Sequence, residues 1–354
     1  MTSHTFDYDL LAEFSQQLLM AAGAEPQVAQ SIAKQLLEAE LLGFYTHGLQ
    51  RLVSNLTWLT KGRSKPNGEH KVITERLAVQ TWDAQFSSGL YLVPKAVDTA
   101  ITMAKKCGTG TVVIKQAQHV AALASYLEPA LNQNMLIQIM AATPSQKAIA
   151  PYGAKQAVFS PNPFAIGASG HKHSLLIDMT LATTAASKLR KAWREGQAAP
   201  EDTLLDKEGH VTTDASSFFN KETAGAIMPL GGELYGYKGT SFCLYSELWT
   251  LALSNWGRAQ QGKFGEANAV WVQVIDPTAF GDLQSFKTEV DYLVELTENA
   301  EPRPNMQVRA PGLTPLKRKQ QKLTEGIQVA DFVWQDILAW AKANDFTPPA
   351  WALN

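Results

Sequence analysis

The chain has 354 residues, of which 45% are hydrophobic and 18% are charged, and its formal net charge is −2. This length allows a large core and two domains of ordinary size, and the balanced charge excludes binding of nucleic acid or an anionic membrane by overall electrostatics. The N-terminus lacks the basic and apolar regions of a secretory signal, and no apolar run reaches the roughly 18 to 20 residues of a membrane helix. We therefore expect a cytoplasmic protein.

The first 65 residues are predicted to form a helical domain. Apolar residues recur at helical spacing on both sides of a Gly/Pro-containing turn at 23–26, which predicts a helical hairpin over residues 7–42. A further helix is expected to begin with Thr46 as its N-terminal cap and to run to Gly62. His47 and Arg51 are four residues apart and would share one face of that helix.

Strands and helices alternate between residues 66 and 299, the predicted second domain. Strands are expected near 72–73, 78–82, 111–114, 136–140, 175–179 and 269–275, and helices over 90–106, 121–132, 183–196, 242–256 and 286–299. Residues 148–169 are predicted to be loop with short strands, and 200–225 to be a polar surface segment. Segment 300–354, with a basic stretch at 303–323 and a last helix over 332–343, is expected to pack on the first domain. The fold class is mixed α/β, or α+β-like, with a mixed sheet and an N-terminal helical domain.

Several common motifs are absent. Gly108-Thr109-Gly110 lacks the third glycine of the dinucleotide fingerprint and precedes a strand, whereas the fingerprint follows one. The sequence contains no P-loop, GxSxG or HExxH motif. His171 and His173 have no cysteine or carboxylate close in sequence, so we expect no metal site. These observations argue against a Rossmann enzyme, a serine hydrolase with a nucleophile elbow and a zinc peptidase.

The pairing of His47 with Arg51 suits a substrate that carries a carboxylate beside a carbonyl group. A guanidinium binds a carboxylate through two hydrogen bonds, and an imidazole exchanges a proton near neutral pH. Such a pair can hold an acid by its carboxylate and transfer a proton at the neighbouring carbonyl oxygen.

Seven segments, in chain order, resemble the malate/L-lactate dehydrogenase family, which is unrelated to the Rossmann dehydrogenases. They are THGLQR at 46–51, QH at 118–119, APYG at 150–153, PNPFA at 161–165, LIDM at 176–179, PLGG at 229–232 with YKG at 237–239, and DPTAF at 276–280. Each motif alone is weak, whereas their common order over some 230 residues is specific.

The resemblance implies a homodimeric oxidoreductase on a non-Rossmann dinucleotide-binding core. The enzyme would use NAD or NADP and transfer hydride between the nicotinamide and a small 2-oxo or 2-hydroxy carboxylic acid. One branch of the family reduces cyclic imines that carry a 2-carboxylate, which leaves a second substrate class open. A third alternative is a catalytically silent binding or scaffold protein that has kept the fold.

The resemblance also implies residue roles. His47 would be the general acid in reduction and the base in oxidation, with His119 as a rival for proton transfer, while Arg51 and Thr143 would bind substrate. The residues implied to contact the cofactor are Asn162, Asp178, Met179, Tyr237, Lys238 and Gly312. Asp178 could equally cap a helix, and Asn162 could set the turn between two prolines.

Two segments depart from the family pattern. Ala186-Ser187-Lys188 stands where relatives often carry Arg-Gly-Lys, and Leu313 follows Pro311-Gly312 where relatives carry glutamate. Both segments lie near the cofactor in the family, so the choice between NAD and NADP stays open.

Overall fold

The computed structural model describes residues 3–219, 224–260 and 265–353. The helices are α1 Tyr8–Ala21, α2 Pro26–Leu42, α3 Leu52–Thr60, α4 Gly89–Cys107, α5 Glu128–Leu131, α6 Ala186–Arg194, α7 Gly232–Glu247, α8 Leu283–Glu298, α9 Leu313–Glu325 and α10 Asp331–Ala343. The strands are β1 Ser3–Phe6, β2 Lys71–Arg76, β3 Val79–Asp83, β4 Thr109–Ala117, β5 Leu136–Ala142, β6 Phe164–Ser169, β7 Ser174–Met179, β8 Leu204–Leu205, β9 Val211–Thr212, β10 Ala226–Ile227, β11 Asn268–Ile275 and β12 Ile327–Ala330.

The predicted N-terminal hairpin is confirmed. Asp7 caps α1 by accepting the N–H groups of Asp9 and Leu10, and α2 begins at Pro26 and ends at Gly43, whose φ is 91°. Proline at the first turn and a left-handed glycine after the last are the usual ends of a helix.

The C-terminal segment contacts the N-terminal helices. β1 pairs with β12 in antiparallel register, and one apolar core cluster includes Leu11 of α1, Leu36 of α2, Leu52 of α3 and Ile337 of α10. These contacts agree with the expected packing of segment 300–354, while the division of the chain at residue 65 stays a prediction.

A mixed sheet forms the centre of the molecule, as predicted. Its strand order is β2-β3-β4-β11-β5-β6-β7. β3 pairs with β4 in parallel, whereas the other neighbouring strands of this sheet pair antiparallel. The central strands bury Val112, Ile114, Val272 and Ile139, and α4 covers them on one face. This arrangement confirms the predicted fold class.

The helix predicted over 121–132 is wrong. The structure contains a 3₁₀ turn at Leu123–Tyr126 followed by the single turn of α5. Ala121 has a φ of 52°, a left-handed conformation that cannot start a right-handed helix. Pro129 lies in the first turn of α5 and removes one backbone donor.

Two further segments differ from prediction. Within the surface segment expected at 200–225, β8, β9 and β10 form a small sheet, and Leu204 and Ala215 join an apolar cluster; residues 220–223 of that segment lie outside the described residues. α7 begins at Gly232, ten residues before the predicted helix, because Gly236 and Gly239 pack closely against the 229–230 segment instead of ending the helix. In the part of the chain that the structure describes, no helix has the length and apolarity needed to cross a membrane.

Candidate active site

The segment from Gly43 to Arg51 carries the first two candidate residues. Tyr45–His47 and Leu49–Arg51 form two separate 3₁₀ turns, and Gly48 lies between them with φ −93° and ψ −135°. The single helix predicted from Thr46 is therefore wrong, since the regular helix α3 begins only at Leu52.

Thr46 contacts the neighbouring histidine instead of capping a helix. Its Oγ1 lies 3.0 Å from Nδ1 of His47. The ring of His47 is thereby oriented by the residue that precedes it.

His119 follows strand β4 and lies in the loop that leads to the 3₁₀ turn at Leu123–Tyr126. Its Nδ1 accepts a hydrogen bond of 3.0 Å from the backbone N–H of Ala121. A ring nitrogen that accepts from N–H carries no proton, so the neutral ring of His119 bears its proton on Nε2. Its ring is therefore fixed by the loop and presents an N–H donor.

The structure brings His47 and His119 together. Their ring centroids are 5.9 Å apart with planes inclined by 16°, and the indole of Trp58 lies 6.2 Å from the ring of His119. Burial, together with the Arg51 guanidinium, lowers the pKa of His47 to about 4. Burial, Arg51 and His47 also lower the pKa of His119 well below its ordinary value. Both rings are consequently neutral at pH 7.

Arg51 follows His47 by four residues, and its charge acts on both rings. Its Nη1 lies 3.6 Å from Oε2 of Glu266, and the two side chains are 30% and 55% exposed. An incoming carboxylate can therefore reach the guanidinium, in competition with Glu266. Glu266 lies just before β11, and no motif in the sequence connects it with Arg51.

Thr143 is joined to the same region by hydrogen bonds. Its Oγ1 donates to Oδ1 of Asn268 over 2.9 Å, and Nδ2 of Asn268 donates to the backbone oxygen of Glu266 over 2.8 Å. The hydroxyl proton of Thr143 is committed to Asn268, so a substrate would be met by the acceptor lone pairs of Thr143.

Ser160, whose hydroxyl accepts the backbone N–H of Thr143, links Thr143 to Asn162, which is fully buried with a φ of 44°. Its Nδ2 donates to the backbone oxygen of Cys243 over 3.3 Å and to Oε1 of Glu247 over 3.2 Å, and Ser160 donates to its Oδ1. Direct contact with a cofactor would require this amide to be uncovered. The contacts thus favour the alternative stated above, in which Asn162 sets the turn between two prolines.

Glu247 and Arg258 form a half-buried ion pair that sequence reasoning missed. Nη2 of Arg258 lies 2.7 Å from Oε1 of Glu247, and its Nη1 donates to the backbone oxygens of Pro144 and Gln146 over 2.9 and 3.0 Å. Because Pro144 and Gln146 lie in the loop that follows Thr143, the Glu247–Arg258 ion pair supports the loop next to the predicted substrate-binding threonine. In the sequence, the one indication of this ion pair is the arginine that follows the apolar helix.

Asp178 and Met179 end strand β7 beside the His119 loop. Oδ2 of Asp178 accepts the N–H of Ala124 over 2.8 Å, and burial raises the pKa of this carboxyl to about 6. Asp178 therefore caps the turn at Leu123–Tyr126, which precedes it in the chain. In the same turn the buried hydroxyl of Ser125 has no hydrogen-bond partner among the described residues.

Three further predicted cofactor residues lie on other elements than the two histidines: Tyr237 and Lys238 on α7, and Gly312 just before α9. Lys238 occupies the middle of α7, and its ammonium lies 5.2 Å from the ring centroid of Tyr235 and 5.9 Å from that of the half-exposed Tyr237. Gly312 precedes α9 with a φ of 99° and packs against Leu176 of β7. Within the described ranges, no hydrogen bond, ion pair or ring contact joins Lys238 to His47 or His119.

A mixed sheet with no Rossmann phosphate loop, carrying a neutral histidine pair beside an accessible arginine, defines a class of α/β protein suited to proton transfer on small carboxylic acids. The sequence model of the malate/L-lactate dehydrogenase family matches residues 6–338, and the chain belongs to this family. Membership confirms the predicted activity class, a nicotinamide-dependent oxidoreductase of 2-oxo and 2-hydroxy carboxylic acids. The family resemblance stated from the sequence motifs is confirmed as well.

Individual relatives support the assignment. The chain is 31% identical over 323 residues to an L-sulfolactate dehydrogenase of Methanocaldococcus jannaschii, covering 88% of this chain and 89% of the relative. A Δ(1)-pyrroline-2-carboxylate reductase of Ancylobacter novellus is 26% identical over 332 residues, with 91% and 93% covered. The solved structure of sulfolactate dehydrogenase from M. jannaschii superposes with a TM-score of 0.87 at 26% identity, covering 97% of this chain and 98% of that one.

No group of three or more His, Cys, Asp or Glu side chains among residues 3–219, 224–260 and 265–353 is arranged to hold a metal ion. His173 pairs instead with Glu295, its Nε2 lying 3.6 Å from Oε1.

Proposed function

We propose that this chain reduces a small 2-oxo carboxylic acid to the 2-hydroxy acid, and catalyses the reverse oxidation. Arg51 binds the substrate carboxylate, His47 exchanges the proton with the substrate oxygen, and His119 donates a hydrogen bond from Nε2. The observation that carries the proposal is the accessible Arg51 guanidinium, whose charge acts on two neutral, stacked imidazoles.

Substrate binding prepares the acid for reduction. In the free protein burial, and to a smaller extent the positive charge of Arg51, lowers the pKa of His47 and disfavours the protonated ring. A substrate carboxylate that binds Arg51 more closely than Glu266 does would offset this charge and raise the pKa of His47 from about 4, which favours the protonated ring that reduction needs. NADH or NADPH, when bound, supplies hydride to the carbonyl carbon. The oxygen then receives the proton of His47, which returns to the neutral form.

Residues beside the His119 loop, on β7 and on α7 fit a nicotinamide dinucleotide in their chemistry. The Ser125 hydroxyl, which has no hydrogen-bond partner in the described part of the chain, and the Asp178 carboxyl offer a donor and acceptors for amide or ribose groups beside the His119 loop. Lys238 offers an exposed cation that suits a phosphate. Met179 follows Asp178 in β7, and Gly312 packs against Leu176 of the same strand. Asn162, whose amide is enclosed by its own hydrogen bonds, would act by holding the turn between two prolines. The choice between NAD and NADP is tested by comparing the rates at which the same 2-oxo acid oxidises NADH and NADPH.

A cyclic imine carrying a 2-carboxylate is the second candidate substrate. The observation that favours it is the similarity to the pyrroline-2-carboxylate reductase of A. novellus over nearly the whole chain. The same Arg51 would bind its carboxylate, and a C=N bond would take the place of the carbonyl.

We also propose that the chain forms a homodimer through the C-terminal half of α7 and the π-helical turn at Leu248–Ala252. This segment exposes large apolar side chains, including Phe242, Leu244 and Leu248 with 53, 53 and 62% exposure. Contiguous apolar surface of this kind marks association sites. Light scattering should give the mass of a dimer for the wild type and that of a monomer for Leu248→Lys.

The expected cytoplasmic location stays a prediction, which cell fractionation would test.

The activity is tested by following absorbance at 340 nm with purified protein. NADH or NADPH is combined with 2-oxo monocarboxylic acids, 2-oxo dicarboxylic acids, 3-sulfopyruvate and cyclic imine 2-carboxylates. We expect oxidation of one reduced cofactor by at least one 2-oxo acid. Turnover with cyclic imines alone would select the second candidate. No turnover with any acceptor, together with no cofactor binding by calorimetry, would support the silent scaffold protein.

A further inference from the structure

Glu40 is a buried acid that the mechanism above does not use. It lies in the last turn of α2, is 4% exposed, and accepts the backbone N–H of Leu49 at its Oε1 over 2.8 Å. Burial raises the pKa of its carboxyl to about 7. Burying a carboxyl group costs free energy unless its hydrogen bonds compensate. The hydrogen bond from Leu49 to Glu40 therefore indicates that this carboxyl has a role in the turn that contains Leu49.

The contact occurs at the point where the chain changes direction between His47 and Arg51. Gly48 packs so closely on the Glu40 carboxyl that a side chain at this position would overlap it. Gly48, with φ −93° and ψ −135°, separates the two 3₁₀ turns, and the N–H of Leu49, the first residue of the second turn, is the group that Glu40 binds. Glu40 thus fixes where the first turn ends and the second begins.

We propose that Glu40 is a positioning residue, whose hydrogen bond to Leu49 sets the placement of His47 relative to Arg51. This inference rests on the proposed roles of His47 and Arg51. The backbone of Glu40 is itself anchored, because Nζ of Lys322 in α9 donates to its carbonyl oxygen over 2.6 Å. Misplacement of a reacting group by about 1 Å can cost about 100-fold in rate, so a defined turn at this position matters for catalysis.

Two conservative variants separate the reach of the acceptor from its charge. Glu40→Gln keeps a side-chain oxygen at the same reach without charge, and Glu40→Asp keeps the charge but is one methylene shorter. Glu38→Asp is the matched control, since Glu38 lies on the same helix and pairs with Lys319 over 2.7 Å. All three variants are read by histidine ring signals in NMR, by melting temperature, and by kcat and KM with the 2-oxo acid that the wild type reduces fastest.

We expect Glu40→Gln to keep histidine signals and kinetics close to the wild type. Glu40→Asp should shift the ring signals of His47 and raise KM or lower kcat by about 10-fold or more. Glu38→Asp should alter the melting temperature only. Wild-type histidine signals and kinetics in Glu40→Asp would overturn the proposal, as would equal losses in Glu40→Gln and Glu40→Asp. The NMR comparison needs no turnover, so a failure of the proposed function is recognised separately, by a wild type that reduces no acceptor.

Discussion

The imidazoles of His47 and His119 lie almost parallel, with ring centroids 5.9 Å apart. The two rings come from different parts of the fold, one from the turns after α2 and the other from the loop after β4. Two positively charged rings at this distance would repel each other, so at most one of the two imidazoles carries the extra proton at neutral pH. The role of proton donor must therefore fall on one ring.

Replacing each histidine in turn should distinguish the roles. His47→Ala should lower kcat by about 10² to 10⁴, the usual range for loss of a general acid, because its ring is oriented by Thr46 and acted on by Arg51. His119→Ala should cost less and act mainly on KM. His210→Ala, which alters an exposed histidine paired with Asp206, serves as the control. A larger loss of kcat in His119→Ala than in His47→Ala would reverse the assignment.

The depressed pKa of His47 predicts opposite pH dependences in the two directions. Reduction needs the protonated ring, which in the free protein is lost as the pH rises through about 4, so kcat/KM for reduction should fall with rising pH. Oxidation needs the neutral ring, so its kcat/KM should rise with pH and level off above about 5. The kcat profile for reduction should extend to higher pH, because bound carboxylate raises the pKa. Reduction with a kcat/KM independent of pH between 5 and 8 would contradict His47 as the acid.

Because Arg51 pairs with Glu266, removal of the Glu266 carboxylate should strengthen binding of the substrate carboxylate to Arg51. Glu266→Gln should lower KM for 2-oxo acids by a few-fold, since an exposed ion pair is worth about 0.2 to 1 kcal/mol and the substrate must break it. Arg51→Lys should raise KM, because an ammonium cannot make the bidentate contact. Steady-state kinetics on both variants, with Glu301→Gln as an exposed acidic control, test the point. An increase in KM in Glu266→Gln would show that Glu266 helps to hold Arg51 for the substrate.

Much of the fold was predictable because the spacing of hydrophobic residues and the residues that begin and end helices are found within short stretches of sequence. Pro26 and Gly43 mark the ends of α2 in the sequence as well as in the structure. The failures have tertiary causes. The helix expected from Thr46 is interrupted by a contact between Glu40 and Leu49, nine residues apart, and α7 continues through Gly236 and Gly239 because neighbouring backbone approaches them closely.

The candidate site was predictable to a smaller extent. Family motifs pointed to His47, Arg51 and His119, which the structure brings together, but no local pattern indicates the carboxylates placed around them. Glu266 meets Arg51 across 215 positions of the chain, and Arg258 reaches the loop after Thr143. Such contacts depend on strand order in the central sheet, which the sequence pattern leaves undetermined.

The ion pair between Glu247 and Arg258 should stabilise the loop after Thr143. Arg258→Met leaves the Glu247 carboxylate, 13% exposed, with the Asn162 amide as its remaining partner in the described contacts. Removing one member of a buried pair typically costs 3 to 5 kcal/mol, and partial exposure favours a loss of about 3 kcal/mol in the free energy of unfolding. Urea denaturation measures this loss, with Arg303→Met as an exposed control.

Kinetics on the same variant separate support of the loop from general stability. Because Arg258 also binds the carbonyl oxygens of Pro144 and Gln146, Arg258→Met should raise KM for the 2-oxo acid at temperatures where the protein is fully folded. The double variant Glu247→Leu/Arg258→Met removes both charges, so it should regain part of the stability while KM stays high. A double variant that regains both would show that the unpaired carboxylate, and not the lost support of the loop, disturbs the site.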